Sequence, residues 1–402
     1  MNELIIGRPY ITETEGKARL CSMITGAEAP YEMWFEVDTP YKPYLCTERA
    51  DAFVLALLFY CLKHGCNLRS ETAVSKQLYY KLTFEYIPTL GNHTEAFQPF
   101  QILAPVTSEK LSCAGAVGTG ASGGVDSFFS ILKHHNMAPE MADYELTHLT
   151  FFNTGSHGDF GGEEARKLFV ERQKRAQQLA DALKLPLVSV DTNLSEFIQM
   201  PFLPTASIRN LSAVLALQKL FARYYFSSGE PVFCFRLDAT ENDNYDLLNT
   251  YAVSTENTTV HNSGLAETRL EKIRYIAQFP ITYRYLNICI TGDENCGKCD
   301  KCVRTMNALY AIDQLDHYSE VFDLEDYYSH LAERLGYSID RASDATYAQQ
   351  NHKEALEALT EAGKSIPNAA VEYARILKRN REKEHIIRMV KGKLKAIKNK
   401  RV

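Results

Sequence analysis

A run of small residues ending in Ser122-Gly123-Gly124-Val125-Asp126-Ser127, with Phe128, Phe129, Ile131 and Leu132 directly after it, constrains the fold of this chain most. Leu111 to Leu132 reads as a strand, a tight loop and a helix start. Gly123 and Gly124 let the backbone turn sharply and remove the Cβ atoms that would hold a ligand away from the amides. Free N–H groups in the first helical turn, with the positive end of the helix dipole, then form an anion site. Ser122 and Ser127 add hydroxyls, and Asp126, a carboxylate beside a phosphate, makes sense if Mg²⁺ bridges the two. The loop is expected to hold phosphate, though not in the Walker manner, because the Gly-Lys-Ser/Thr ending is missing. The bland alternative is a turn, and the Gly- and Ala-rich segment Ala114 to Gly120 is a weak strand by propensity.

The segments around the loop supply its context. Residues 1–105 read as a separate α+β unit, with MWFEVD as a strand, Glu48 to His64 as a buried helix, and Lys76 to Ile87 as a strand that could equally begin as a helix. From Leu111 the pattern alternates. Strands are expected at Leu146 to Phe152, Pro186 to Val190, Val232 to Phe235 and Thr258 to His261, and helices at Glu163 to Leu183, Leu211 to Phe226 (opened by Arg209-Asn210) and Thr268 to Ala277. Such alternation argues for an α/β fold with a parallel sheet covered on both faces. Ligands of open parallel sheets bind beyond the carboxyl ends of the strands, so Ser122 to Ser127, Asn153 to Asp159, Asp191 to Asn193 and Asp238 to Asp243 are the candidate wall. Within it, His157, Asp159, Asp238, Glu241 and Asp243 are candidates for substrate or metal contact, and the plain reading of each is a solvated loop residue.

Ten cysteines are present, and four of them cluster as Cys289, Cys296, Cys299 and Cys302. Two overlapping Cys-x-x-Cys steps plus an upstream cysteine suit a tetrahedral Cys₄ zinc site, closed and therefore structural, with an iron–sulfur cluster or a redox dithiol as the alternatives. Cys113 and Cys234 fall on expected strands as packing residues. A formal charge of -6 does not suggest a nucleic-acid binder as a whole. The start MNELIIGRPYITETEG lacks a signal-peptide pattern, and the apolar run Ala52 to Leu62 is too short for a membrane span, so a cytoplasmic location is expected. Past Arg304 helices are expected, with apolar steps in Val321 to Leu335 and Ala355 to Leu377. A basic tail follows, including Lys391, Lys393, Lys395, Lys398, Lys400 and Arg401. Its default is a solvated helix, though RNA, anionic lipid or an acidic partner would suit its charge.

The loop resembles the SGGxDS signature of the PP-loop ATP pyrophosphatases, which cleave ATP between its α- and β-phosphates. Together with Arg209-Asn210, the helix Thr268 to Ala277 and CGKCDKC at Cys296 to Cys302, it resembles the 7-cyano-7-deazaguanine synthase branch over Leu111 to about Leu309. The resemblance implies a Rossmann-like (HUP-type) sheet, and the chain as a whole is expected in three parts: an N-terminal α+β unit, 1–105; an ATP-binding domain with a zinc knuckle, 106–310; and a helical C-terminal region with the basic tail, 311–402. It also implies ATP, Mg²⁺ and Zn²⁺ as cofactors. Ser122, Gly123, Gly124, Val125, Asp126 and Ser127 would cradle phosphates and Mg²⁺, and Arg209 would neutralise phosphate or acyl-adenylate charge. Asn153-Thr154 would meet adenine, and the four clustered cysteines would hold zinc.

The N-terminal unit, the C-terminal extension and the long DATENDNYD loop depart from that branch, so a different substrate is expected. The leading expectation is an AMP-producing ligase or amidotransferase. It would activate a carboxylate or carbonyl oxygen of a small molecule for attack by a nitrogen nucleophile, with ammonia or an amine from a separate donor. Sulfur insertion and a non-catalytic nucleotide-binding scaffold are the alternatives. A homodimer is compatible with the sequence.

Overall fold

The computed structural model describes residues 3–289, 292, 294–343 and 347–399. It divides into two compact units, Met1–Glu267 and Thr268–Val402. No helix among the described residues is long and apolar enough to cross a membrane.

The first unit is α/β, built on a mixed, mostly parallel eleven-stranded sheet. Its strands are β1 (Glu3–Ile6), β2 (Tyr10–Thr14), β3 (Lys17–Thr25), β4 (Tyr31–Asp38), β5 (Asn67–Ser70), β6 (Ile102–Leu103), β7 (Ala116–Gly120), β8 (His148–Asn153), β9 (Leu187–Thr192), β10 (Phe221–Ser227) and β11 (Thr259–Ser263). The order is β11-β10-β7-β8-β9-β4-β3-β1-β5-β6, with β2 also paired to β3. From β11 to β9 every pairing is parallel. β7 therefore lies between β8, which follows it in the chain, and β10, where the winding reverses. Loops that leave β7, β8, β9 and β10 all emerge at one carboxyl edge.

Residues 1–105 share this sheet instead of forming a separate α+β unit. β4 pairs antiparallel with β9, Asp191 opposite Glu36 and Thr192 opposite Phe35. Side chains lock the joint: Thr192 Oγ1 donates to the Trp34 carbonyl at 2.6 Å, and the Trp34 N–H donates to Asn193 Oδ1 at 2.9 Å. Helix α1 (Asp51–His64) is buried over most of its circumference and packs on α4 (Ala206–Ala216). At its first turn the fully buried Asp51 accepts hydrogen bonds from the Ser75 N–H at 2.8 Å and Gln218 Nε2 at 3.1 Å. The two compact units meet at 267/268.

One segment left open between strand and helix is a helix, and one expected strand is not a strand. Lys76 to Ile87 is helical, continuing through a π turn at Leu82–Tyr86 into Ile87–His93. Leu78, Leu82, Tyr86 and Leu90 are all buried, and their four-residue spacing overrides the strand preference of the intervening aromatics. Val232–Cys234 is a 3₁₀ turn, and the strand is β10, assigned above to the end of a helix. That helix, α4, stops at Ala216, where tight turns (Leu217 N–H to Val214 O, 3.0 Å; Leu220 N–H to Leu217 O, 2.8 Å) return the chain to the sheet. The aromatic run Phe221-Ala-Arg-Tyr-Tyr-Phe226 then takes the extended form that such side chains favour. α4 also begins at Ala206, so Arg209 sits one turn inside it and does not open it.

β7 is rich in small residues for a packing reason. A Cβ on Gly118 would lie 2.6 Å from the Phe221 ring and 3.1 Å from that of Tyr224. Glycine admits the two aromatic rings of the neighbouring strand.

The second unit is helical. It holds α6 (Arg269–Ile276), α7 (Asp300–Ala311), α8 (Leu324–Ser329), α9 (Leu331–Ala342), α10 (Tyr347–Glu361) and α11 (Asn368–Asn399). α6 opens on a capping box in which Thr268 Oγ1 accepts from the Glu271 N–H while the Glu271 carboxylate accepts from the Thr268 N–H. The expected Ala355-to-Leu377 helix is interrupted, with α10 ending at Glu361 and Pro367 preceding α11. Of the tail residues, Lys391, Lys393, Lys395 and Lys398 are described in backbone only, and Lys400 and Arg401 lie outside the described residues.

Candidate phosphate site and cysteine knuckle

The loop between β7 and α2 (Val125–His134) stands at the reversal point of the sheet. Ala121 N–H still donates to Thr150 O at 2.8 Å, so the ladder holds the loop's first residue in place. Gly123 then adopts φ +77°, a left-handed conformation that costs a side-chain-bearing residue about 1–2 kcal/mol. Gly124 takes the N-cap position with extended backbone, and no side chain caps the helix there. The first turn of a helix, with the positive end of its dipole, is where an anion is favoured.

Ser122 is exposed and its Oγ lies 3.4 Å from the Gly124 N–H. Ser127 is buried and donates to the Gly120 carbonyl at 2.5 Å, tying the helix to the end of the strand. Asp126 is half-buried, and Val125 is buried against the core side. This arrangement can hold an anion at a helix N-terminus beside one carboxylate.

Neighbouring loops frame the same edge. Asn153 Nδ2 donates to Asp191 Oδ1 at 2.7 Å, Arg166 Nε donates to Asp191 Oδ2 at 3.2 Å, and Arg166 also pairs with Glu196. Burial pushes the Asp191 carboxyl up, against the pull of Asn153 and Arg166. Thr154 is fully buried; its hydroxyl donates to Asn210 Oδ1 at 2.6 Å, and its carbonyl accepts from Ser195 Oγ at 3.1 Å. Arg166, Ser195 and Glu196 were not foreseen. Ser195 and Glu196 lie just past β9 and could have been found from that position, whereas nothing local marks Arg166.

Arg209 is placed differently from expectation. Its guanidinium is 2% exposed and enclosed by main-chain oxygens. Nη1 reaches Thr154 O at 3.4 Å, Asp159 O at 3.2 Å and Ser195 Oγ at 3.3 Å, while Nη2 donates to Met200 O at 2.6 Å and Pro201 O at 3.3 Å. Among the described residues it has no carboxylate partner, and Nε has no hydrogen-bond partner. Burial draws its pKa down to about 10, with Asp159 opposing, so it remains a cation at neutral pH. It binds the loop after β8 to the loop after β9.

The acidic candidates are mostly structural in their contacts. Asp238 accepts from Thr240 N–H at 2.8 Å, Thr240 Oγ1 at 2.6 Å and Asn244 Nδ2 at 3.1 Å, shaping its own turn. Asp159 Oδ1 accepts from Phe202 N–H at 3.1 Å. Glu241 is exposed and Asp243 half-buried. His157 is buried between Phe151 and Phe169, with ring centroids 5.2 and 5.4 Å away.

Burial pulls His157 down to about 4, and burial with Lys133 and His261 does the same to His134, which stacks on Tyr225 at 3.5 Å. Both rings are neutral when folded, while the unfolded chain protonates them near pH 6.5. Their stability is complete above about pH 6.5 and is lost as pH falls toward 4. Denaturant unfolding at pH 5 is expected to show a loss of about 1–3 kcal/mol relative to pH 7.5. His157→Phe should remove part of that slope.

Cys113 lies before β7 in non-strand backbone, at the sheet edge opposite the loop, its Sγ 3.5 Å from Leu220 O. Cys234 lies in the 3₁₀ turn beyond β10.

In the second unit the Sγ atoms of Cys289, Cys296, Cys299 and Cys302 all lie within 4.8 Å of one another. A tetrahedron of thiolates around zinc has edges of about 3.8 Å, and the Cys296–Cys302 separation is 4.0 Å. The N–H groups of Lys298 and Cys299 point at Cys296 Sγ at 3.4 and 3.3 Å, and Gly297 turns the knuckle at φ +66°. Burial and its cysteine neighbours push the Cys302 thiol well up, and a bound cation would favour its thiolate. The donor set fits a metal ion such as zinc. Close by, Ser338 Oγ lies 2.8 Å from His352 Nδ1, and His352 Nε2 lies 3.1 Å from Asp300 Oδ1, an arrangement outwardly like a catalytic triad. Ser338 and His352 are fully buried, and Ser338 Oγ also accepts from Asn307 Nδ2 at 2.7 Å, so this is a strut between helices.

The chain matches no family model, no curated protein and no solved structure.

Proposed function

We propose that the protein is an adenylating enzyme of the PP-loop type, converting ATP to AMP and pyrophosphate while activating a carboxylate or carbonyl oxygen of a small molecule for a nitrogen nucleophile. The observation that carries the proposal is the Ser122–Ser127 loop: a left-handed Gly123 and an uncapped helix N-terminus at the reversal point of a 3-2-1-4-5 parallel sheet. On this reading the sheet is Rossmann-like, of the HUP type, and the protein works in the cytoplasm.

The first-turn amides and the Ser122 hydroxyl would bind the phosphate oxygens that leave as pyrophosphate, where charge accumulates as the bond to the α-phosphorus breaks. Asp126 would hold Mg²⁺, which supplies further charge neutralisation when bound. Ser127 fixes the loop through Gly120. Arg209 acts through position, setting the Asn153-Thr154 segment expected at the adenine, and through the field of a buried cation. Positioning and charge stabilisation suffice for such chemistry, and no general base is needed on the adenylating step. Zinc in the knuckle would be structural.

The test is turnover of ATP with Mg²⁺ and cell metabolite extract, separating AMP plus pyrophosphate from ADP plus phosphate. AMP formation that falls about a hundredfold or more in Asp126→Ala is expected. ADP as product, or equal rates in the variant, would sink the proposal. Sulfur insertion remains a second reading, with Cys234 in the 3₁₀ turn after β10 as the candidate thiol. A Cys234→Ser variant that still forms AMP but no product would favour it.

A further inference from the structure

Two thiols in the first unit take no part in the chemistry proposed above. Cys61 lies in the last turn of α1, and Cys66 comes directly after Gly65, which caps that helix at φ +60° before the chain enters β5. The reversal at Gly65 brings the two side chains together. Their sulfurs lie 3.5 Å apart, within hydrogen-bonding distance for sulfur, and both side chains are fully buried.

The corner is held firmly but lies shallow. The Gln98 N–H donates to the Leu62 carbonyl at 2.7 Å, and Phe97 packs on Phe59 with ring centroids 5.4 Å apart. Lys63 and His64 are exposed, however, and Gly65 and Asn67, on either side of Cys66, are half-buried. A single buried cysteine packs as a small apolar residue and is inert. A pair in contact differs, because the second thiol resolves what forms on the first. The two sulfurs are also unequal. The hydrogen bond from Cys61 draws the Cys66 thiol below its ordinary range, while that bond and burial push the Cys61 thiol well above its own.

We propose that Cys61 and Cys66 are a redox modification site, forming a disulfide with hydrogen peroxide, a small neutral oxidant that enters as the end of α1 frays. The Cys66 sulfur attacks one peroxide oxygen, the O–O bond breaks, and the other oxygen leaves as water with the thiol's proton. Cys66 is then a sulfenic acid. The Cys61 sulfur attacks the sulfur of Cys66, the S–S bond forms, the S–O bond breaks, and a second water leaves with the Cys61 proton. Each sulfur gives up one electron, and the pair of electrons reduces the peroxide. Closing to a bond of about 2.05 Å moves the sulfurs together by about 1.5 Å, which the last turn of α1 takes up.

The full-length protein is to be treated with hydrogen peroxide, its remaining thiols blocked in denaturant, and the product digested with trypsin. Cleavage after Arg49, Lys63 and Arg69 places the two cysteines on separate peptides, Ala50 to Lys63 and His64 to Arg69. In most chains these are expected as one joined species, lighter than their sum by two hydrogens and split by dithiothreitol. In Cys61→Ser the joined species is lost and dimedone, which traps sulfenic acids, labels Cys66; circular dichroism checks the fold of that variant, and the wild-type map stands without it. Recovery of both peptides with free thiols, at a dose that fully oxidises cysteine in a parallel tube, overturns the proposal. So does a join that appears only when peroxide is added in denaturant, or oxidation of both residues to sulfonic acids without a join.

Discussion

Cys302→Ser is expected to release the metal and to lower the melting temperature of the helical unit by about 10–20 °C, corresponding to several kcal/mol. The reasoning starts at the first turn of α7, where Cys302 is fully buried beside Val303 and Met306. Serine in its place leaves three thiolates and a hydroxyl, a set that holds zinc far more weakly. Without the cation the remaining cysteines protonate, and the knuckle loses what closes it. The loss spreads through named contacts. Asp300, between two of the cysteines, is held below its ordinary range, at about 2; burial opposes this, and His352 and Arg304 overcome it. His352 reaches Ser338, Ser338 reaches Asn307, and Asn307 Oδ1 accepts from Tyr327 OH at 2.8 Å. Four helices, α7, α8, α9 and α10, therefore share one polar chain with the knuckle. The measurement is metal content by elemental analysis together with thermal unfolding, with and without a strong chelator under reducing conditions. Purified protein that carries no metal, and melts identically with chelator, would refute the assignment.

What the sequence made legible is what is encoded locally. The Ser122–Ser127 loop and the CGKCDKC knuckle are short, and their chemistry depends on spacing that a reader can count. The helix Glu163–Leu183 was readable at both ends because its apolar residues recur at three- and four-residue steps. The joint between β4 and β9 was not. It is an antiparallel pairing across more than a hundred and fifty residues, secured by Trp34, Thr192 and Asn193, none of which carries a local signal. Phe221 to Ser227 was lost to the preceding helix because α4 and β10 are separated by a few residues without proline or glycine. The clue was present in four aromatics within six residues. The acidic loop Asp238 to Asp243 read as a ligand wall because Asp and Glu attract that interpretation. In the fold Asp238 is occupied with Thr240 and Asn244, which sequence cannot reveal.

Arg209→Met is expected to cost the first unit about 3–5 kcal/mol and to reduce adenylation sharply, chiefly by letting two loops part. The side chain donates toward oxygens on Thr154, Asp159 and Ser195 from one nitrogen and on Met200 and Pro201 from the other. Methionine fills much of the volume but leaves those carbonyls without a donor in a buried site. Lysine should not rescue. A single ammonium cannot reach acceptors on both loops at once, whereas the planar guanidinium spans them. Gly155 also constrains the site: a Cβ there would lie 2.5 Å from Nη1, and φ is +128°. The two explanations of Arg209 therefore separate by measurement. If it positions the loops, Arg209→Met and Arg209→Lys both lose stability in urea, and ATP affinity falls with it. If it meets phosphate directly, Arg209→Lys retains stability and loses turnover alone. The crowding of carbonyls around the guanidinium predicts the first outcome, and wild-type stability in both variants would overturn it.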